Sequence, residues 1–186
     1  MFWLLAAKDI LLHKNFDMND LNKELRGQAV KLGICDEFLK LWSNDWSREK
    51  MVEMMYRGLD FCLIHHYPSN DFIVKHFSLD FLRKSNVFVN DRYSVVNPKK
   101  SLILGTSDVT FRYNMWENGR IYVRDNASLK LYAKNRCFVI VHLFDNATVD
   151  AEQLDKASVI IIKHSPKVTI RTNGSIKVKE EYNYLK

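Results

Sequence analysis

Along roughly the last 85 residues, pairs of apolar positions separated by a single residue return at steps of 19 to 20: Val109/Phe111, Leu129/Leu131, Val149/Ala151 and Val168/Ile170. Each pair follows a polar turn. Two of these turns share one composition, Asp125-Asn126-Ala127-Ser128 and Asp145-Asn146-Ala147-Thr148, and the others are Thr106-Ser107-Asp108 and His164-Ser165-Pro166-Lys167. A fixed step of this length predicts a chain wound into stacked coils. Counting back from the pairs gives Ile121/Val123, Val141/Leu143 and Ile160/Ile162, and counting forward from the last gives Ile176/Val178. Each coil is thus expected to hold two short strands whose alternate side chains point inward. The corners between them select residues that accept left-handed backbone or bond their own turn, and Asn126, Asn146, Asn173 and Gly174 stand where corners are needed. An antiparallel sandwich is the competing fold, but nothing in it requires turn and apolar pair to return at a near-constant step.

Up to about residue 83 the apolar spacing is helical instead. Leu21, Leu25, Ala29 and Leu32 recur at three- and four-residue steps from an Asp20 start to a Gly33 stop. Cys35, Phe38, Leu39 and Trp42 predict a second, short helix. Ser47 opens a third, with Met51, Met54, Met55, Leu59, Cys62 and Leu63 in one stripe ending near His65-His66, and Ser69 caps a fourth carrying Phe72, Ile73, His76 and Phe77. Val87-Phe88-Val89 and Tyr93-Ser94-Val95-Val96 flank Asn90-Asp91-Arg92, as a hairpin or as the first pair of solenoid strands. The predicted fold class is therefore α+β: a helical bundle of three to five elements capping a short C-terminal β-solenoid of about four coils. The boundaries are an extension over 1–17, a helical cap over 18–85 and a hairpin-plus-solenoid domain over 86–186.

At 186 residues, 47% apolar and 12% aromatic, the chain can bury an ordinary core. Phe2-Trp3-Leu4-Leu5-Ala6-Ala7 lacks a preceding basic residue and is broken by Asp9, which predicts a short helix or a tail rather than a signal. No run approaches a membrane span, so a soluble, cytoplasmic protein is the default. Cys35, Cys62 and Cys137 are odd in number and far apart, as buried thiols in a reducing compartment would be.

The formal charge of +6 divides as +2 over residues 1–100 and +4 over 101–186. Residues between the inward pairs should stack into outward ladders: Tyr122, His142, Ile161 and Lys177; Arg124, Phe144, Lys163 and Lys179; Arg112, Tyr132, Glu152 and Arg171. The second is the most basic. With Lys130, Lys167 and Arg171 it makes a candidate binding face, Phe144 offering an aromatic ring between cations. No phosphate loop or nucleophile elbow is present. Cys62 and His66 share a helical spacing, with His65 and His76 nearby, but Cys62 belongs to the apolar stripe and the histidines suit a helix end. Trp42 and Trp46 read as bundle core. The reading is thus non-enzymatic, with no cofactor and no metal. The last strand, Ser175-Ile176-Lys177-Val178-Lys179, leaves backbone unpaired unless a second copy or the charged tail covers it.

The segments LRGQAVKLGICDEFLKLWSNDW, RGLDFCLIHHYPSNDFIVKHF, VFVND and GRIYVRDNASLKLYA, with the later DNAT, resemble a group of uncharacterised small proteins of bacterial phages and conjugative elements. The resemblance runs from Met18 to the end, which implies Met18 as the usual start. It implies a helical N-terminal part leading into a short β-helix, and no activity or ligand. A mobile-element context favours a protein-interaction module acting on host machinery. The alternative is a nucleic-acid-binding protein using Arg124, Lys163, Lys179, Lys130, Lys167 and Arg171. Expected partners are another protein or, in the alternative, nucleic acid, with no membrane and with a homodimer through the C-terminal coil as a further route.

Overall fold

The computed structural model describes residues 17–183. The helix or tail expected near Phe2–Ala7 and all but the last residue of the 1–17 extension lie outside the described residues. The chain divides into two compact units, one up to Phe77 and one from Ser78 onward. Among the described residues no helix is long and apolar enough to cross a membrane.

Among the described residues the first unit holds five helices: α1 (Met18–Lys31), α2 (Asp36–Lys40), α3 (Arg48–Arg57), α4 (Leu59–His65) and α5 (Asn70–His76). The cap residues are those the sequence marks. Ser47 accepts the Lys50 N–H and Ser69 the Phe72 N–H, each satisfying an orphan donor of a first turn. In α1 the start moves back to Asp17, whose carboxylate accepts the Asn19 N–H, and the chain leaves the helix through Gly33 at φ 80°. The stripe expected as one helix from Ser47 to His65 is two. Gly58 breaks it, and a Cβ there would stand 3.1 Å from the Phe38 ring, so the glycine that interrupts the helix also admits Phe38. Asn22, fully buried on α1, donates to Met18 O at 2.8 Å and Trp46 O at 2.9 Å, while the Tyr67 hydroxyl donates to Leu25 O at 2.9 Å. Trp42 and Trp46 stack at 4.7 Å. Cys35 is exposed rather than buried, because it precedes α2, a short helix that buries none of its residues.

The second unit opens with α6 (Leu79–Lys84), capped by Ser78, and its described residues wind eleven strands into two parallel sheets. The strands are β1 (Val87–Val89), β2 (Arg92–Val96), β3 (Lys100–Leu104), β4 (Asp108–Tyr113), β5 (Asn118–Val123), β6 (Ser128–Ala133), β7 (Phe138–Leu143), β8 (Thr148–Gln153), β9 (Ser158–Lys163), β10 (Thr169–Asn173) and β11 (Lys177–Glu180). Odd strands form a six-stranded sheet and even strands a five-stranded one, so successive strands lie in opposite sheets and every neighbour pairs in parallel. This is a β-solenoid of about four coils. Val87–Val89 and Arg92–Val96 are its first turn rather than a hairpin, since they belong to different sheets. Val109, Leu129 and Val149 stack in register, as do Phe111, Leu131 and Ala151, and all six are essentially inaccessible. α6 packs against β1, the first strand of the six-stranded sheet. Arg83 on α6 forms a forked pair with the buried Asp91 at 2.8 and 2.9 Å, and its guanidinium lies 4.4 Å from the Tyr93 ring centre.

The register departs from expectation only in the last coil. Ile170 stacks on Val149 and Thr172 on Ala151, so the step there is 21 and the Val168/Ile170 pair is displaced by two positions. The corner after β9 is one residue longer than those after β5 and β7, and counting back across it at the old step inverts the strand before it. Val159 and Ile161, not Ile160 and Ile162, point inward on β9. The outward ladders change accordingly. Tyr122 and His142 continue into Ile162 and Lys179, while Arg112, Tyr132 and Glu152 continue into Asn173; Arg171 stacks instead on Asp150 and Lys130.

The corners explain why so few glycines are needed. Asp125, Asp145, Asn135 and Asp155 take left-handed backbone at φ 52–65°, a role expected for Asn126 and Asn146 but falling on the preceding aspartates. Each carboxylate then reaches one coil back. Asp125 Oδ2 accepts the Gly105 N–H at 2.8 Å, Asp145 Oδ2 the Asp125 N–H at 3.1 Å, and Asn146 Nδ2 donates to Asn126 Oδ1 at 3.0 Å. A charge-assisted bond lost together with a left-handed alanine should cost about 2 kcal/mol in Asp145→Ala, whereas Asp145→Asn keeps both an acceptor and tolerance of the backbone and should cost under about 1 kcal/mol. Urea midpoints of the two variants check this; equal losses would mean that the carboxylate contributes only through its charge.

Candidate functional site

The seven residues nominated from the sequence do not form one face. Lys130 and Arg171 stand on the outer face of the five-stranded sheet and Lys179 on the outer face of the six-stranded one. Arg124 and Phe144 lie in the corner column after β5 and β7, and both are buried, Arg124 at 3% exposure with its Nε 3.2 Å from Asp125 Oδ1. A guanidinium held there is not presented to phosphates. The third place in that column belongs to His164, not Lys163, which pairs with Glu180 at 3.1 Å and lies under the Tyr182 ring. That pairing holds the Glu180 carboxyl below its ordinary range and the Lys163 amine above its own.

Four of the seven nonetheless converge at the C-terminal end of the solenoid. β10 and β11 are the last strands of their sheets, and no described strand pairs with their outer edges. The inward side chains of this last turn, Val168, Ile170 and Ile176, are only partly covered, and Val178, over the Ile161 column, is 46% exposed. Around them stand Lys163, Lys167, Arg171 and Lys179, joined by Lys177. An apolar centre ringed by cations is the anatomy of a binding surface. It is also what the end of a solenoid looks like where no capping element covers it.

A second surface was not legible as a site in the sequence. The stacked corners after β4, β6 and β8 enclose a cleft of about 460 Å³ lined by Asn114, Met115, Trp116, Asn135, Arg136, Asp155 and Lys156. Trp116 is 73% exposed, and the Arg136 guanidinium covers one face of its ring at 4.7 Å. The signal available was a tryptophan in a polar corner, with an arginine exactly one 20-residue coil later.

At the ends of β5 and β7 and in the corners that follow β7 and β9, aromatic side chains are stacked and largely covered. Tyr122 and His142 lie 4.8 Å apart, His142 and His164 5.2 Å, and Phe144 and His164 4.5 Å. The proton arrangement follows from the partners. His164 Nδ1 meets the Glu181 carbonyl at 2.8 Å and must donate to it, which leaves Nε2 to accept from His142 Nδ1 at 2.9 Å. Burial, then the neighbouring His164 and Arg120, pushes His142 down to about 4, and burial lowers His164 as well. Both imidazoles are neutral at pH 7.

Cys62, His65 and His76, three of the side chains considered for a metal, each have a neighbour in the helical unit. Cys62 is buried with its thiol 3.8 Å from Met55 O, His65 lies against Phe61 at 4.5 Å, and His76 is buried against Phe72 at 4.4 Å. His66 ends α4 in left-handed backbone at φ 48°. No family model, curated protein or solved structure matches this chain.

Proposed function

We propose that the chain is a non-enzymatic protein-interaction module whose docking surface is the open C-terminal end of the solenoid. The resemblance to phage and conjugative-element proteins supplies the context, that of a protein that binds and modulates host machinery from within the cell. The observation that supports the reading is the last coil itself: half-covered Val168, Ile170 and Ile176 and exposed Val178, rimmed by Lys167, Arg171, Lys177 and Lys179. The side chains that would make the next coil's core contacts have nothing described above them, and binding a partner would bury them at about 25 cal/mol per Å² of apolar surface. Capture from extracts of the source cell tests the reading when it is compared between the native chain and Val178→Asp. A partner retained by the first and lost by the second supports it; a partner retained equally by both places the docking surface elsewhere.

Nucleic acid is the second reading, and it moves from Arg124 and Lys163 to the Trp116 cleft, where a ring stacked on Arg136 lies beside Lys156. Stacking platforms flanked by cations suit single strands. If this reading holds, log affinity for an oligonucleotide falls with log salt by about 0.7–0.9 per phosphate contacted, and Arg136→Ala with Lys156→Ala lowers both affinity and slope. No retention of oligonucleotides at low salt removes it.

A further inference from the structure

We infer that the occupant of the open end is a single extended segment of a partner protein in which acidic and apolar residues alternate, added to β11 as the next strand of the six-stranded sheet. The inference rests on the reading of that end as the docking surface.

The backbone of β11 fixes the geometry. Glu181 donates its N–H to Lys163 O, so by the alternation of a parallel ladder residues 177, 179 and 181 bond β9, and the N–H and C=O of Val178 and Glu180 point to the outer edge. Those groups are the template for one more strand, the mode by which sheets recruit extended peptides. The side chains specify which strand. Val178 and Ile176 continue the inward columns and need an apolar side chain above them, whereas Lys177 and Lys179 face outward and would lie about 4.8 Å from the corresponding positions of an added strand. Among the described residues neither lysine is in an ion pair, and the nearby Glu180 carboxylate is held by Lys163. Acidic residues at alternate positions of the incoming strand meet both lysines.

A second copy of this chain fits less well. A symmetric antiparallel pairing of two β11 edges that keeps Val178 against Val178 places Lys177 of each chain opposite a lysine of the other, and like charges directly opposed destabilise a strand pair. Head-to-tail stacking would need the edge of β1, against which α6 packs.

The test uses the full chain and a fluorescein-labelled peptide of alternating glutamate and valine, read by anisotropy at low and moderate salt. Saturable binding is expected, at least tenfold tighter than that of a peptide with the same residues in two blocks. Lys177→Glu with Lys179→Glu, both exposed positions, should weaken binding about tenfold and admit the lysine–valine counterpart. N-methylating all the glutamates or all the valines should abolish binding in one case and spare it in the other, because only alternate amides of an added strand face β11. Equal tolerance of both N-methylated forms, or equal binding of the acidic and basic peptides, overturns the inference. So does a peptide-free protein that light scattering shows as a dimer lost on Val178→Asp. If no peptide binds while partner capture still depends on Val178, the docking surface stands and the added strand falls; if neither is seen, both fall.

Discussion

Gly119→Val should destabilise the solenoid unit by about 3 kcal/mol, the upper end of overpacking, and lower its melting temperature by roughly 12 °C. Gly119 occupies an inward position in line with Val139, yet the space above it is filled from the opposite sheet by Tyr113, which is buried and donates its hydroxyl to Pro98 O. A Cβ at residue 119 would lie 2.5 Å from Tyr113 Cζ and nearer still to the hydroxyl. Because Tyr113 is wedged in the core with its hydroxyl bonded to Pro98 O, it has no way to swing aside. Cutting the ring down should therefore rescue the variant. Gly119→Val with Tyr113→Leu is expected to be more stable than Gly119→Val alone, a strong favourable coupling in a double-mutant cycle followed by chemical denaturation. Additive losses would show that the two side chains do not share one volume.

The second large effect is on acid stability. His142 is held neutral in the fold and its folded-state pKa lies below the unfolded one of about 6.5, so between these values the unfolded chain binds more protons than the folded one. Stability contributed by the neutral imidazole is thus fully present above pH 6.5 and is lost as pH falls toward 4. With His142 at about 4, the loss is about 2 kcal/mol by pH 5 and about 3 kcal/mol in full. His164 acts in the same direction, and a proton added to its Nε2 would set two donors against each other across the 2.9 Å contact. His142→Phe keeps a ring in the stack without a titrating group, and its stability should vary much less between pH 7 and 5. If native and variant chains lose stability alike over that range, the acid sensitivity lies elsewhere.

How far the sequence could be read depends on where its periods stay intact. The columns through Leu129 and Val149 were legible because three successive coils keep one step and one corner length. A single added residue after β9 was invisible, since Ile160, Ile161 and Ile162 are all apolar and either parity looks inward. That one residue moved Lys163, Arg171 and Lys179 to different columns and dispersed the expected basic face. Burial of Arg124 was hidden for another reason: a charged residue beside a corner aspartate reads as solvated until the stack around Tyr122, His142 and His164 is seen. The helix break at Gly58 was missed because the apolar stripe continues through it. At the C-terminal end the sequence showed an uncovered strand but not that the scattered lysines would gather around it, which only the coil geometry brings about.

The corner aspartates carry a consequence for how such a molecule could change length. Asp145 bonds the amide of Asp125, and Asp125 that of Gly105, through the same oxygen and across the same interval. Each rung reads only its immediate predecessor, so the arrangement contains no information about how many rungs precede it. A gain or loss of one whole period leaves every surviving bond with a chemically equivalent partner, whereas an insertion of any other size throws the rungs above it out of phase. Variation in such a chain is therefore quantised in turns, because only a whole period can be added or removed without breaking a rung.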